Sequence, residues 1–147
     1  MSLKSCKTLP DIFHLALKTN PDGDFVRMVK EEEVFRISYR TADMMINTLT
    51  RFLISKGLKK GDRIAVLGSN SPEWAISYLS VINFGGVVVP IDKTLPLPEI
   101  LHILRFSETK CIIAELKYLK DLTDYMEEIP DIEFLINFGF EKEDEEI

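Results

Sequence analysis

Two short polar loops carry the residues best placed for chemistry, because each follows an apolar run typical of a buried strand. Ser69–Asn70–Ser71 comes after Arg63–Gly68, and Asp92–Lys93–Thr94 comes after Val87–Ile91. Ligands of open parallel sheets bind outside the carboxyl ends of the strands, so both loops are candidate anion sites. Each loop also has a plainer interpretation. The first can cap the following helix, and Lys93 can be a solvated lysine rather than a phosphate ligand.

The other candidate bases and nucleophiles have no partner at catalytic spacing. His14 and His102 lie in predicted helices without a carboxylate or cysteine at triad or ligand spacing, so we expect helix-surface or packed histidines. Cys6 and Cys111 show neither metal-site spacing nor a disulfide pattern, and Cys111 begins an apolar run that predicts a buried thiol. We therefore predict no catalytic residue and no metal ligand in this chain.

A βαβ unit over Gly61–Asp92 must position the two loops. Pro72 suits the first position of a helix, which runs to about Phe84 with apolar residues on nearly every side and is therefore predicted to be buried. Strands alternating with helices predict an α/β fold with a parallel-rich sheet and flanking helices. The other predicted elements are helices over Leu9–Lys18, Arg40–Lys56, Leu97–Ser107 and Tyr118–Glu128, strands over Cys111–Ala114 and Ile132–Phe138, and a hairpin of Phe25–Val29 with Val34–Tyr39.

Helical periodicity also predicts which faces are buried. In the first helix, Ile12, Leu15 and Ala16 share a face. In the second helix, the apolar positions follow the spacing of an amphipathic helix, with Ser38 as its N-cap. These positions are Ala42, Met45, Leu49, Phe52 and Leu53.

Length and composition favour one globular domain over residues 1–140, followed by an acidic mobile tail at 141–147. Residues 115–147 hold 12 acidic and 3 basic residues, a net charge of −9, whereas residues 1–114 hold 12 and 15. We interpret this end as a solvated helix and tail; an acidic interaction surface is the alternative. The chain lacks the basic and aromatic clusters of a nucleic-acid site. It also lacks a transmembrane run and a secretory signal, which predicts a cytoplasmic protein.

Several segments are familiar when they are taken in order. They are Ile37–Ser38–Tyr39, Lys56–Arg63, Asn70–Trp74, Gly85–Asp92, and Leu104–Lys110 leading into Cys111–Ala114. Together they resemble the start of the AMP-forming adenylating enzymes, which include acyl-CoA synthetases, luciferases and the adenylation domains of peptide synthetases. The resemblance covers about residues 8–138. Within this superfamily, Pro72–Ile76, Val88–Ile91 and Ile129–Ile136 look most like long-chain fatty acyl-CoA synthetases. The family usually has Glu where Thr41 stands, so a capping box at the second helix is not expected.

The resemblance implies two half-reactions. ATP and a carboxylate give an acyl-adenylate and pyrophosphate, and the thiol of coenzyme A then displaces AMP. The implied cofactors of the full-length enzyme are ATP, Mg²⁺ and coenzyme A, none of which is expected to bind tightly to this chain alone, and a fatty acid is the implied substrate. Lys93 would then meet a phosphate of coenzyme A. Trp74 and Tyr78, one turn apart, are expected to pack in the core, with the lining of an acyl tunnel as the alternative.

The family's phosphate loop, aromatic-rich motif, ribose-binding Asp and catalytic Lys are not recognisable in the 147 residues. We therefore expect an N-terminal fragment that is inactive alone and that self-associates through uncovered apolar surface. Three alternatives remain open: a peptide-synthetase adenylation domain, an acyl-carrier-protein ligase, and a non-catalytic α/β interaction module. A Ser/Thr/Gly-rich loop ending in Lys shortly after Ile147 in the reading frame would favour a synthetase, and a stop codon would favour the module.

Overall fold

The computed structural model describes residues 3–30 and 32–138 and divides them into two compact units. The first unit lies within Met1–Asp62 and Asn70–Val88, and the second within Arg63–Ser69 and Val89–Ile147. The tail predicted at 141–147 lies outside the described residues.

The first unit contains three helices and a hairpin, and the second contains two helices and most of a sheet. In chain order the elements are α1 (Leu9–Thr19), β1 (Asp24–Lys30), β2 (Glu33–Ser38), α2 (Tyr39–Ser55), β3 (Arg63–Leu67), α3 (Pro72–Asn83), β4 (Val87–Ile91), α4 (Leu97–Phe106), β5 (Cys111–Ala114), α5 (Leu116–Thr123) and β6 (Phe134–Asn137). Short 3-10 turns lie at Leu3–Ser5 and Met126–Glu128.

The predicted α/β fold class is confirmed by a four-stranded parallel sheet in the order β4-β3-β5-β6. Strand β5 occupies the centre of this pairing, with Ile64 opposite Cys111 on one side and Cys111 opposite Phe134 on the other. All four residues of β5 are buried, as expected for a strand with both sheet faces covered. The strands therefore end along a common carboxyl edge, where β3 and β5 reach Leu67 and Ala114 in register.

Aromatic rings form the core of the first unit. Phe13 of α1 meets Phe25 at a centroid distance of 5.4 Å and Tyr39 at 5.8 Å, and Ala42 and Ile46 complete the cluster. The predicted buried face of α1 is wrong at Ile12, which is 45% exposed. Helix α1 is rotated so that Phe13 points inward, because its ring fits between the aromatic rings of the hairpin and α2.

The contact between α2 and α3 includes polar residues as well as the apolar ones that the sequence pattern predicted. The buried face of α2 consists of Ala42, Ile46, Thr50 and Leu53, whereas Met45 and Phe52 are exposed. The prediction for Met45 and Phe52 is therefore wrong. Short side chains allow the two helices to hydrogen-bond to each other's backbone, which a Met or Phe at the same position would prevent.

Helix α3 is buried or half-buried along its whole length, as predicted. Its N-terminus has the expected Ser71 cap, which accepts a hydrogen bond from the Trp74 N–H at 3.2 Å. Trp74 and Tyr78 are only half-buried and stack on each other at 5.4 Å, so the prediction that they pack in the core is wrong. The helix ends at Asn83, and Gly85 follows with a φ of +84°, which favours glycine.

The helix predicted over Tyr118–Glu128 is shorter than expected. Helix α5 ends at Thr123, and the chain continues through i→i+3 hydrogen bonds such as Glu128 N–H to Tyr125 C=O. This tighter path turns Ile129 and Ile132 into the apolar core of the second unit. None of the helices in the described part of the chain has the length and apolar character needed to cross a membrane.

Candidate functional site

At the carboxyl edge of the sheet, one residue from each of the two predicted loops meets the other within the second unit. Lys93 follows β4, and its Nζ donates a hydrogen bond to the Ser69 Oγ after β3 at 3.1 Å. The sequence placed both residues at strand ends but could not show that they meet. This contact holds a cation at the edge where parallel sheets bind ligands.

Asp92 shapes the loop that presents Lys93. Its Oδ1 accepts hydrogen bonds from the Thr94 backbone N–H and from the Thr94 hydroxyl, both at 2.8 Å. These two bonds hold the pKa of the Asp92 carboxyl below its usual range. The Asp92 carboxylate is therefore satisfied by its own loop, and the Lys93 side chain turns to Ser69.

Glu115 extends the pairing of β3 and β5 beyond the ends of both strands. Its backbone N–H donates to the Leu67 carbonyl at 3.3 Å, and its side-chain Oε1 accepts from the Ser69 N–H. Its Oε2 forms an ion pair with Lys117 Nζ at 3.0 Å. Burial raises the pKa of the Glu115 carboxyl, but the hydrogen bonds from Ser69 and the interactions with Lys117 outweigh it, so the net pKa is lowered.

Gly68 allows the carboxylate to approach the strand end. A Cβ built on Gly68 would lie 2.6 Å from Phe138 Cζ and 3.0 Å from Glu115 Oε1. A side chain at this position would require the buried Phe138 ring to shift, so glycine allows the ring and the carboxylate to pack against the backbone. The backbone that leads into Ser69 is therefore enclosed on both sides.

A cavity of about 100 Å³ lies beside Lys93. Aliphatic side chains form part of its wall, and Lys93, Tyr118 and Asp121 contribute polar atoms to it. The lining consists of Leu67, Lys93, Leu95, Leu97, Ile100, Tyr118, Asp121 and Leu122. The site can therefore offer one ammonium group to an anion, next to a recess with aliphatic and polar walls.

The remaining candidates from the sequence have structural roles or lie on the surface. His14 and His102 are exposed on α1 and α4, as predicted, and His102 stacks on Phe106. Cys111 is fully buried, and this burial raises the pKa of its thiol and keeps it protonated. No cluster of metal-ligating side chains occurs among residues 3–30 and 32–138. The arrangement suits anion binding and includes no nucleophile–base pair.

Sequence reasoning missed Glu115, which it counted only as the first acid of the acidic end. One signal was available. Glu115 occupies the N-cap position of α5, where Ser, Thr, Asp or Asn is preferred, and its side chain makes no capping hydrogen bond there. A glutamate at that position, directly after a buried strand, indicates a side chain that bonds elsewhere.

Comparison with known proteins settles the family. The family model described as AMP-binding enzyme matches residues 13–146. The chain belongs to the AMP-binding enzyme family. The chain is similar to bacitracin synthase 3 of Bacillus licheniformis, to which it is 32% identical over 78% of this chain and 2% of that protein. Fatty acyl-CoA synthetase A of Dictyostelium discoideum is 33% identical over 58% of the chain and 13% of its own length.

The fold is also similar to that of a solved ligase. The structure of the anthranilate CoA ligase AuaEII with anthranoyl-AMP superimposes with a TM-score of 0.79 at 20% identity, covering 95% of this chain and 27% of AuaEII. At this identity the likeness shows the fold alone. The chain thus spans a small part of the length of each of these three proteins.

Proposed function

We propose that this chain forms the N-terminal subdomain of a long-chain fatty acid–CoA ligase. In the proposed reaction a fatty acid carboxylate attacks the α-phosphorus of ATP and releases pyrophosphate. The sulfur of coenzyme A then attacks the carbonyl carbon of the acyl-adenylate, loses its proton and releases AMP. The carboxylate needs this activation because its oxygen is a poor leaving group until it is joined to AMP.

The contact between Lys93 Nζ and Ser69 Oγ carries the part of this proposal that belongs to this chain. An ammonium group at the carboxyl edge of the sheet fits a phosphate of coenzyme A, since a lysine binds phosphate as a point charge. Lys93 would bind and orient that phosphate, and Ser69 would hold the ammonium in place. ATP and Mg²⁺ would be bound by residues of the longer enzyme, and we assign none of the described residues to them.

The nature of the carboxylate separates this proposal from its main alternative. The sequence of Pro72–Ile76 and the similarity to a fatty acyl-CoA synthetase support a fatty acid as the substrate. The match to bacitracin synthase 3 supports a peptide-synthetase adenylation domain. Pyrophosphate exchange by the polypeptide of the source reading frame, assayed with palmitate and with a panel of amino acids, separates the two. Exchange with amino acids alone would refute the fatty acid proposal.

The Lys93 assignment is tested on the 147-residue chain by amide-resonance titration with coenzyme A and with 3′-dephospho-coenzyme A. We expect Lys93→Ala to weaken the binding of coenzyme A about fivefold or more, the effect of losing a charge-assisted contact. Lys120→Ala is the matched control, because Lys120 is an exposed lysine of α5 in the same unit. Equal responses in the two variants would refute the assignment. If Lys93→Ala weakens the binding of coenzyme A and of 3′-dephospho-coenzyme A equally, Lys93 contacts a phosphate other than the 3′-phosphate.

Two further parts of the proposal concern the setting of the protein. We propose a cytoplasmic location and self-association of the isolated chain through exposed apolar side chains such as Met44, Phe52 and Ile54 of α2. Sedimentation velocity over a concentration series tests the second part, and a single monomeric species at high concentration would refute it. A non-catalytic interaction module remains the alternative, supported if the source reading frame lacks every ATP-binding motif.

A further inference from the structure

Glu115 contacts Ser69 of the proposed Lys93 site with its carboxylate, through the Ser69 backbone N–H and the Ser69 side chain. We infer that Glu115 is a positioning residue: its carboxylate fixes the Ser69 backbone so that the Ser69 hydroxyl holds the Lys93 ammonium in place for an anionic phosphate. This inference rests on the function proposed above and adds to it a residue that acts through Ser69.

The Glu115 side chain bonds to Ser69 rather than to its own helix. Glu115 is the N-cap residue of α5 but makes no capping bond to that helix. Its Oε1 instead accepts the Ser69 N–H, 46 residues earlier in the chain. Its own N–H continues the strand pairing with the Leu67 carbonyl at 3.3 Å. Glu115 therefore joins the ends of β3 and β5 with a backbone bond and a side-chain bond.

The backbone between those two bonds, at Gly68, has little room to move. Gly68 separates Leu67 from Ser69, and it is enclosed by Phe138 and by the same carboxylate. Lys117 Nζ holds the other carboxylate oxygen at 3.0 Å. With Leu67 and Ser69 both bonded to Glu115, the backbone that carries the Ser69 side chain is restrained by Glu115.

Ser69 links this backbone to the Lys93 ammonium group. Ser69 Oγ lies 3.1 Å from Lys93 Nζ. If the Ser69 backbone moves, the hydroxyl that accepts the hydrogen bond from Lys93 moves with it. Lysine has a long flexible stem, so an ammonium without this acceptor would sample many positions and bind a phosphate less well. For the removal of Glu115, these contacts predict a change in anion affinity opposite in sign to the change that simple electrostatics predicts. Removing a negative charge close to an anion site should strengthen binding, whereas removing a positioning acceptor should weaken it.

The experiment compares replacements of Glu115 in the 147-residue chain by titration with coenzyme A. Glu115→Gln removes the charge but keeps a side-chain oxygen of the same reach, and Glu115→Ala removes both. Positioning predicts affinity within about twofold of wild type for Glu115→Gln and a loss of about fivefold for Glu115→Ala. Glu127→Gln controls for net charge, because it removes an exposed glutamate from the same unit.

Glu115→Asp keeps the charge but shortens the side chain by one methylene. It replaces Glu115→Ala in the comparison if the alanine variant does not fold. Positioning places its affinity below that of Glu115→Gln. The Ser69 amide resonance provides a direct readout, and we expect it to move upfield in the aspartate and alanine variants and to stay near its wild-type shift in the glutamine variant. Glutamine and alanine variants that both bind coenzyme A at least as well as wild type, with the aspartate variant unchanged, would overturn the inference.

The two proposals fail in different ways. If Lys93→Ala weakens binding and no Glu115 variant does, Glu115 has no positioning role and the Lys93 assignment stands. If Lys93→Ala has no effect, the Lys93 assignment fails and the inference fails with it.

Discussion

Thr50 of α2 and Ser80 of α3 are joined by a buried hydrogen bond, in which the Thr50 hydroxyl donates to the Ser80 backbone carbonyl at 3.0 Å. Two further bonds surround it. The Ser80 hydroxyl lies 3.3 Å from the Ile46 carbonyl, and Asn83 Nδ2 donates to Thr50 Oγ1 at 3.3 Å. Polar side chains therefore connect two helices whose sequences suggest apolar packing, because a short hydroxyl side chain satisfies buried backbone groups at close approach.

Replacing Thr50 by valine tests this contact at nearly constant volume. We expect Thr50→Val to lower the free energy of unfolding by about 1–2 kcal/mol, since the Ser80 carbonyl and the Asn83 amide each lose a buried partner. Thr48→Val is the matched control. Thr48 is exposed on the same helix, and its hydroxyl bonds only to the Met44 carbonyl of its own helix, at 2.8 Å. We expect the control to change stability by about 0.5 kcal/mol or less in urea unfolding. Equal losses for both variants would contradict a special role of Thr50.

Gly68 cannot accept a side chain without displacing its neighbours. We expect Gly68→Ala to destabilise the chain by about 1–3 kcal/mol, because its Cβ would overlap the Phe138 ring. Phe138→Leu in the same background removes the ring tip, so the double variant should lose less stability than the sum of the two single losses. Thermal unfolding of the four proteins gives this coupling, and strict additivity would show that the ring is not the obstacle.

Glu115 should give the chain a stability that depends on pH. Its pKa is lower in the folded chain than the ordinary value of 4.5, so the ionised form is favoured by folding. The resulting stabilisation is fully present above pH 4.5 and is lost as the pH falls through the lowered folded pKa. Glu115→Gln does not titrate. Urea unfolding of both proteins between pH 7 and pH 3 should therefore show a difference that is constant at high pH and shrinks in acid. A difference that stays constant down to pH 3 would contradict the prediction.

The 147-residue chain should not bind ATP tightly. The family's phosphate loop is not recognisable in the sequence, and the formal net charge of −6 repels a polyanion. We expect calorimetry with ATP and Mg²⁺ to show no binding at micromolar concentrations. Heat consistent with a micromolar dissociation constant would show that the chain carries its own nucleotide site, and would refute the proposal that residues outside it bind ATP.

Local signals in the sequence determined the elements and their order. Pro72 after Ser71 marked the start of α3, the apolar run at Cys111–Ala114 marked β5, and strand–helix alternation predicted the parallel sheet. These features could be predicted because capping, proline geometry and strand burial act over a few neighbouring residues. The position of Lys93 after a strand was predictable for the same reason.

Only the tertiary structure decided how helices turn about their axes and which loop residues meet. Helix α1 buries Phe13 and exposes Ile12, and one helical stripe satisfies the sequence pattern nearly as well as the next. The bond from Ser69 to Glu115 spans 46 residues and leaves no periodic trace. By itself the sequence determined the elements, whereas packing between distant elements decided the buried helix faces and the Lys93–Ser69–Glu115 arrangement, because side-chain contacts depend on distances that the order of residues does not contain.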